Sequence, residues 1–222
     1  VEETVLVENE KPIVDEETKI ARIMDLIQLN NQKVHNDYEL TLNDYYIGMG
    51  DTAENLAQEL DISRHDQEEF AIHSHQKALA AITSGRFKNE IVPINFNGVT
   101  VSNDEGPREP NIEKIQSLSP AFDADGTITA ATSSPVSLGS ASLLITSNIL
   151  AKSSGISPKF RIKSRAVAGV DWRVMGAGPL PATEKALSKA GLSIADIDTI
   201  ELNEAFAAQS LYVIRKGGWD ID

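Results

Sequence analysis

Apolar positions recur with two periods along this chain, and the period changes wherever glycine, proline or a short polar cluster intervenes. Ala53, Leu56, Ala57 and Leu60 keep the spacing of one helix face, and Asp51 followed by Glu54 resembles a capping box. A second start at Ser63, followed by Asp66, predicts a helix running to Ser84 and stopped by Gly85. Ser142–Thr146 is a short apolar run suited to a buried strand, and a helix from about Ser147 to Ser154 is closed by Gly155. Alternation returns at Phe160, Ile162, Ser164, Ala166 and Ala168, predicting another strand. Pro181 suits the first turn of a helix that runs to Ala190 and ends at Gly191, and Ser193 with Asp196 caps one more turn. Thr199–Leu202 then alternates like a buried strand, and Ala205–Arg215 is rich in helix formers without Gly or Pro. Strands alternating with helices at this spacing predict an α/β fold.

Two stretches are less regular. Val1–Asp44 opens with an acidic cluster, contains one amphipathic pattern at Ile20–Leu29 and carries no motif; a solvated acidic face is its reading. Asn95–Ser119 is polar, holds Gly98, Gly106, Pro107 and Pro110, and predicts a surface excursion with one short helix.

Composition narrows the function classes. The 222 residues are 41% hydrophobic and 24% charged, as in an ordinary globular protein with mass for one or two cores. A formal net charge of −13 argues against nucleic acid as a partner. No apolar run approaches the length of a membrane span, and the N-terminus lacks the pattern of a signal peptide. Cysteine is absent, which excludes disulfides, thiolate metal sites and a cysteine nucleophile from these residues. His73 and His75 stand two apart on a predicted helix and point to nearly opposite sides, so they cannot chelate one ion. His65, His73 and His75 are expected on the helix surface. Gly48 and Gly50 lack the third glycine and the preceding strand of a dinucleotide fingerprint, so they match it weakly. A nicotinamide-dependent enzyme on an unrelated α/β fold stays open as a third reading, but it would require a glycine-rich turn after a clear strand, and none is found.

The chemistry concentrates where the last strand pattern hands over to the last helix, at Asn203 and Glu204. In open α/β sheets ligands bind outside the carboxyl ends of strands. An asparagine there offers two amide donors that can steady an oxyanion or hold a water that does. The competing reading is that Asn203 caps the following helix.

The string Asn203-Glu204-Ala205-Phe206-Ala207-Ala208-Gln209 resembles a signature of the thiolases, enzymes that make or cleave 3-ketoacyl-coenzyme A. Further stretches resemble the same family in order: Met49-Gly50 with Thr52-Ala53-Glu54-Asn55, Gly85-Arg86-Phe87 through Ile94, Pro120-Ala121-Phe122 with Gly126 to Ala131, and Ala166 to Ala182. The chain departs from the common pattern at Ala131-Thr132-Ser133-Ser134-Pro135 and Ser137-Leu138-Gly139, where it is closer to the branch associated with the fatty-acid oxidation multienzyme complex. Leu138 stands where an Asp is usual, which removes a turn-fixing carboxylate.

The resemblance implies the layered α/β/α/β/α thiolase fold, incomplete in this chain. It divides the chain into an unassigned acidic segment over 1–44, the family's loop domain over 45–130, the end of the N-terminal half over 131–158 and the start of the C-terminal half over 159–222. It also implies that Met49, Phe122, Ala130, Ser134, Met175, Ala205 and Phe206 lie along the acyl or pantetheine arm of coenzyme A. Arg108, aligned across a one-residue gap, would reach the adenosine end. Packing or turn formation explains Met49, Met175 and Ser134 equally in chemical terms, and a solvated Arg balancing acidic neighbours explains Arg108.

The implied reaction is a two-step acyl transfer through a cysteine thioester, with coenzyme A as substrate and no covalently bound cofactor. Asn203 is the catalytic residue carried over. In the family pattern the nucleophilic cysteine would precede Val1, and the Gly-His-Pro histidine and second cysteine would follow Asp222. The expectation is a truncated thiolase that has no activity alone, with a homodimer or homotetramer as the full-length assembly. The alternative is a non-catalytic thiolase-like subunit that binds acyl-coenzyme A or an active partner. The compartment stays open, with cytoplasm as the default and mitochondrion or peroxisome compatible with the resemblance.

Overall fold

Helix α1, Met49–Glu59, lays one face of small and branched residues against the C-terminal helix, and this contact centres the core of the computed structural model. The structure describes residues 46–221; the acidic opening and the helix expected at Ile20–Leu29 lie outside them. Helix α2, Arg64–Thr83, follows after a short turn. Ser63 caps it by accepting the Asp66 N–H at 3.1 Å, and Gly85 adopts the left-handed conformation just past its end, both as the sequence predicts.

The polar excursion holds more structure than its composition suggests. Strands β1, Ile94–Phe96, and β2, Val99–Val101, form an antiparallel hairpin with Ile94 opposite Val101 and Phe96 opposite Val99. Asn97 and Gly98 turn it with positive φ of 50° and 79°, a connection that Asn-Gly serves well. A short helix α3, Ile112–Gln116, then follows, capped by the Asn111 side chain.

Beyond it come α4 (Asn148–Ser153), a 3₁₀ stretch (Trp172–Ala177), α5 (Pro179–Ala190), a second 3₁₀ turn (Ile194–Asp196) and α6 (Ala207–Gly217). Ser193 donates both its N–H and its hydroxyl to Asp196 at 2.8 Å, as its position predicts. The core gathers Ala53, Leu56 and Ala57 of α1, then Ile62, Ile128, and Ala208, Leu211, Tyr212 and Val213 of α6.

Two expectations are corrected here. The segments 142–146, 160–168 and 199–202 form no strand and belong to no ladder, and Leu143, Leu144 and Phe160 are 80% or more exposed. Alternation states a preference for a pleated, half-buried surface, whereas a strand requires a neighbour to pair with. The capping box is also placed differently. Helix α1 begins at Met49, so it is Asp51 that reaches back to the Gly48 N–H, at 3.1 Å. Glu54 turns inward and is 3% exposed.

Candidate functional site

Two turns that are far apart in sequence are joined by backbone hydrogen bonds, and the join makes the site. The first turn is built by Thr129 and Thr132. The Thr129 N–H donates to the Thr132 hydroxyl at 2.9 Å, the Thr132 N–H donates to the Thr129 carbonyl at 3.1 Å, and the Ser133 hydroxyl donates to that carbonyl at 2.8 Å. The Ser134 N–H then donates to the Ala205 carbonyl and the Ala207 N–H to the Thr132 carbonyl, both at 2.9 Å. Ser133 and Phe206 pair as an isolated antiparallel bridge. These bonds hold Ser134 beside the segment that carries Asn203.

A cavity of about 250 Å³ lies over the join, with Ser134, Pro135 and Asn203 on one side and Phe70, Ala71, Ser74 and His75 of α2 on the other. Its volume is below the ~300–1,000 Å³ of pockets that enclose a whole drug-sized ligand, so it suits one arm of an extended molecule. Asn203 does not cap α6: that helix begins at Ala207 with Phe206 at the N-cap position, so Asn203 stands clear of it. Its amide therefore remains available to the cavity. The adjacent Glu204 is held by the Ser74 hydroxyl, which donates to Oε2 at 2.6 Å.

The aromatic residues form a second cluster. Phe122 and Phe206 meet edge to face, with centroids 5.7 Å apart and planes at 79°. Gly50 lies under Phe122 so closely that an added Cβ would fall 2.1 Å from its ring. Met49, the neighbour of Gly50, is 50% exposed and Met175 is 47% exposed. The 3₁₀ stretch carrying Met175 is tied to α1 by the Asn55 amide, which donates to the Arg173 carbonyl at 2.9 Å. Of the residues expected along the ligand, the structure thus brings Ser134 and Asn203 into one cavity and Phe122 and Phe206 into contact. Met49, Met175 and Ala130 are placed at the surface outside that cavity, and Ala205 contributes its carbonyl to the join.

Arg108 presents its backbone here, donating its N–H to Nδ1 of His75 at 3.4 Å. His75 is the residue that sequence reasoning missed. Spacing placed all three helix histidines at the surface, and His65 conforms, its imidazole standing 3.4 Å from Glu69 in solvent. His75 is half-buried because the 131–135 turn and the Arg108 segment both come against α2 at this point. No local pattern reveals such a contact.

Comparison with known proteins identifies the class. Residues 11–148 match the family described as Thiolase, N-terminal domain, and residues 156–222 match Thiolase, C-terminal domain. The chain belongs to the thiolase family. It is 50% identical over 174 residues to a 3-ketoacyl-CoA thiolase of Idiomarina loihiensis, covering 75% of this chain and 45% of that protein. It is 49% identical over 177 residues to an acetyl-CoA acetyltransferase of Escherichia coli, covering 78% and 45%. Among solved structures it matches human mitochondrial 3-ketoacyl-CoA thiolase in complex with CoA, with a TM-score of 0.74, 34% identity, and coverage of 85% of this chain and 52% of that one. The α/β thiolase fold expected from the sequence is thereby shown. The chain spans about half the length of the curated relatives it matches.

Proposed function

We propose that these residues form the coenzyme A-binding and oxyanion part of a thiolase, which cleaves 3-ketoacyl-coenzyme A or condenses acetyl units into acetoacetyl-coenzyme A. The observation that carries this reading is the cavity shared by Ser134 and Asn203. Pantetheine is a thin arm with two amides, and a hydroxyl on a tight turn matches one amide as donor or acceptor. Asn203 supplies amide donors at the end of that arm, where a thioester carbonyl would gather negative charge during attack. The Phe122–Phe206 pair offers the apolar wall beside it. Coenzyme A enters as substrate, and Met49, Met175, Ala130, Ala205 and the Arg108 side chain serve along its length.

Acyl transfer also requires a nucleophile, and a thiolate meets that need because a thiol ionises far more readily than a hydroxyl. These 222 residues contain no cysteine. The chain alone therefore binds acyl-coenzyme A without turning it over, and the full-length assembly is a homodimer or homotetramer. A second reading is a thiolase-like subunit that binds acyl-coenzyme A or pairs with an active partner. Calorimetric titration with acetyl-coenzyme A, alongside a thiolysis assay on acetoacetyl-coenzyme A, tests these statements. Saturable binding without turnover is expected. Cleavage by the purified chain would refute its inactivity, and a lack of binding would remove the coenzyme A site.

A further inference from the structure

We infer that Gln67 is a positioning residue for the ligand cavity: its buried amide fixes the Thr127 hydroxyl and, through that segment, sets where Phe122 and Ser134 stand. The inference rests on the coenzyme A-binding reading above and adds to it a residue that does not line the cavity. Gln67 lies on α2 and is 0% exposed. Its Nε2 donates to the Thr127 hydroxyl at 2.8 Å and to the Ile62 carbonyl at 3.3 Å. The Thr127 hydroxyl gives its own hydrogen to Glu54 Oε2 at 3.1 Å. A hydroxyl has a single hydrogen to give, so a donor on one side and a carboxylate on the other leave it one orientation. Thr127 is thereby pinned from α1 and α2 at once.

Two residues of the site depend on that pin. The Ile128 carbonyl accepts the Ala121 N–H at 2.9 Å and Pro120 bridges to Thr129, which fixes the stretch that carries Phe122. In the other direction, Thr129 and Thr132 build the turn from which the Ser134 N–H reaches the Ala205 carbonyl. A displacement at Thr127 therefore reaches the aromatic wall and the cavity together.

The energetics separate positioning from stability. Gln67 Oε1 is buried and has no hydrogen-bond partner among the described residues. A buried acceptor left unpaired offsets what the paired donor contributes, so an unbranched apolar side chain of similar length would serve the fold equally well. What the amide adds is direction, because it selects one geometry of Thr127 and an apolar side chain cannot. A buried polar group kept without a gain in stability is the kind of local inconsistency that marks a functional site.

The test sets calorimetric titrations with coenzyme A and with pantetheine beside urea unfolding, all on the whole 222-residue chain. Gln67→Met should weaken both ligands about three-fold, within the range of one net hydrogen bond, while the unfolding midpoint stays at the parent value. Thr127→Val should cause a similar loss, and Thr127→Ser, which keeps the hydroxyl, should bind as the parent does. Gln67→Met combined with Thr127→Val should bind no worse than Thr127→Val alone. A combined loss equal to the product of the two single losses would mean that Gln67 does not act through Thr127. A midpoint that falls in Gln67→Met, or failure of that variant to fold, would make the amide a stabilising group and overturn the inference. Unchanged binding by Gln67→Met would overturn it while leaving the coenzyme A site standing, and absence of coenzyme A binding by the parent would overturn both. In the parent chain, hydrogen exchange followed by ¹⁵N NMR should find the Gln67 side-chain amide strongly protected, and exchange at the solvent rate would sink the proposal.

Discussion

The buried carboxylate of Glu54 accepts both the N–H and the hydroxyl of Thr127, at 2.9 and 3.1 Å, and Oε1 also takes the Ile128 N–H at 2.8 Å. One side chain of α1 thereby satisfies the backbone of the strand-like segment that leads into the Ser134 turn. The Thr127 hydroxyl in turn accepts from the amide of Gln67 at 2.8 Å, which brings α2 into the same network. Charge-assisted bonds of this kind are each worth about 1.5–3 kcal/mol, and removing the acceptor strands buried donors. Glu54→Ala should cost about 3 kcal/mol in urea denaturation. Glu54→Gln, which keeps one acceptor oxygen, should cost about half as much. Equal midpoints for both variants and the parent would show that the network adds nothing to stability.

Glu54 also shows how far the sequence could be read. Its place three residues after Asp51 matched a capping box, yet the residue that reaches back is Asp51 and Glu54 is turned inward. Capping is decided within a few residues, whereas Glu54 answers to Thr127, distant in sequence. Helices were legible for the converse reason. Ser63, Gly85, Gly155 and Gly191 act on their own neighbourhoods, and each stands where its helix begins or ends. The patterns at 142–146, 160–168 and 199–202 predicted strands and no strand forms there, because pairing depends on segments elsewhere. In the site, Asn203 and Ser134 were visible through motif resemblance, whereas His75 was hidden because its burial comes from the Arg108 segment and the 131–135 turn.

Gly50 bears on the aromatic cluster. A Cβ there would stand 2.1 Å from Cγ of Phe122, near the base of the ring where no small rotation relieves it. Phe122 is 47% exposed, so it can swing outward, and the break falls on its contact with Phe206 more than on the core. Gly50→Ala should lower stability by about 1 kcal/mol, since the strain is partly offset by the better helix propensity of alanine. It should weaken acetyl-coenzyme A binding several-fold if the pair walls the acyl arm. NMR ring-proton shifts of Phe206 check the displacement directly, and unchanged shifts would refute it.

Tyr212 carries a pH signature. Burial first, and then its hydrogen bond to Glu59, push its phenol up from 10.0 to about 12. The hydroxyl donates to Glu59 Oε1 at 2.7 Å, and Lys216 lies 3.7 Å from the same oxygen. Because the folded value is raised, this contribution to stability is complete below pH 10.0 and is lost as pH climbs towards about 12, where the folded phenol itself ionises. Ultraviolet titration should show one tyrosine ionising near 12 that vanishes in Tyr212→Phe. That variant should lose about 1–2 kcal/mol near neutral pH.

Ser74 couples α2 to the turn that carries Asn203. Its hydroxyl donates to Glu204 at 2.6 Å, across the cavity mouth from Ser134. Residues 201–204 lie ahead of the 205–207 join and belong to no ladder, so a side-chain bond weighs heavily in their local stability. Removing the hydroxyl should leave the global unfolding midpoint almost unchanged, because both groups reach solvent. It should raise hydrogen exchange at 201–204 about five-fold, the factor expected from one net hydrogen bond. The amide of Ala207 should keep its protection, since it is bonded to the Thr132 carbonyl in the separate backbone join. Faster exchange at both places would mean that Ser74→Ala loosens the whole turn pair, and faster exchange at neither would show that Glu204 is positioned by something other than α2.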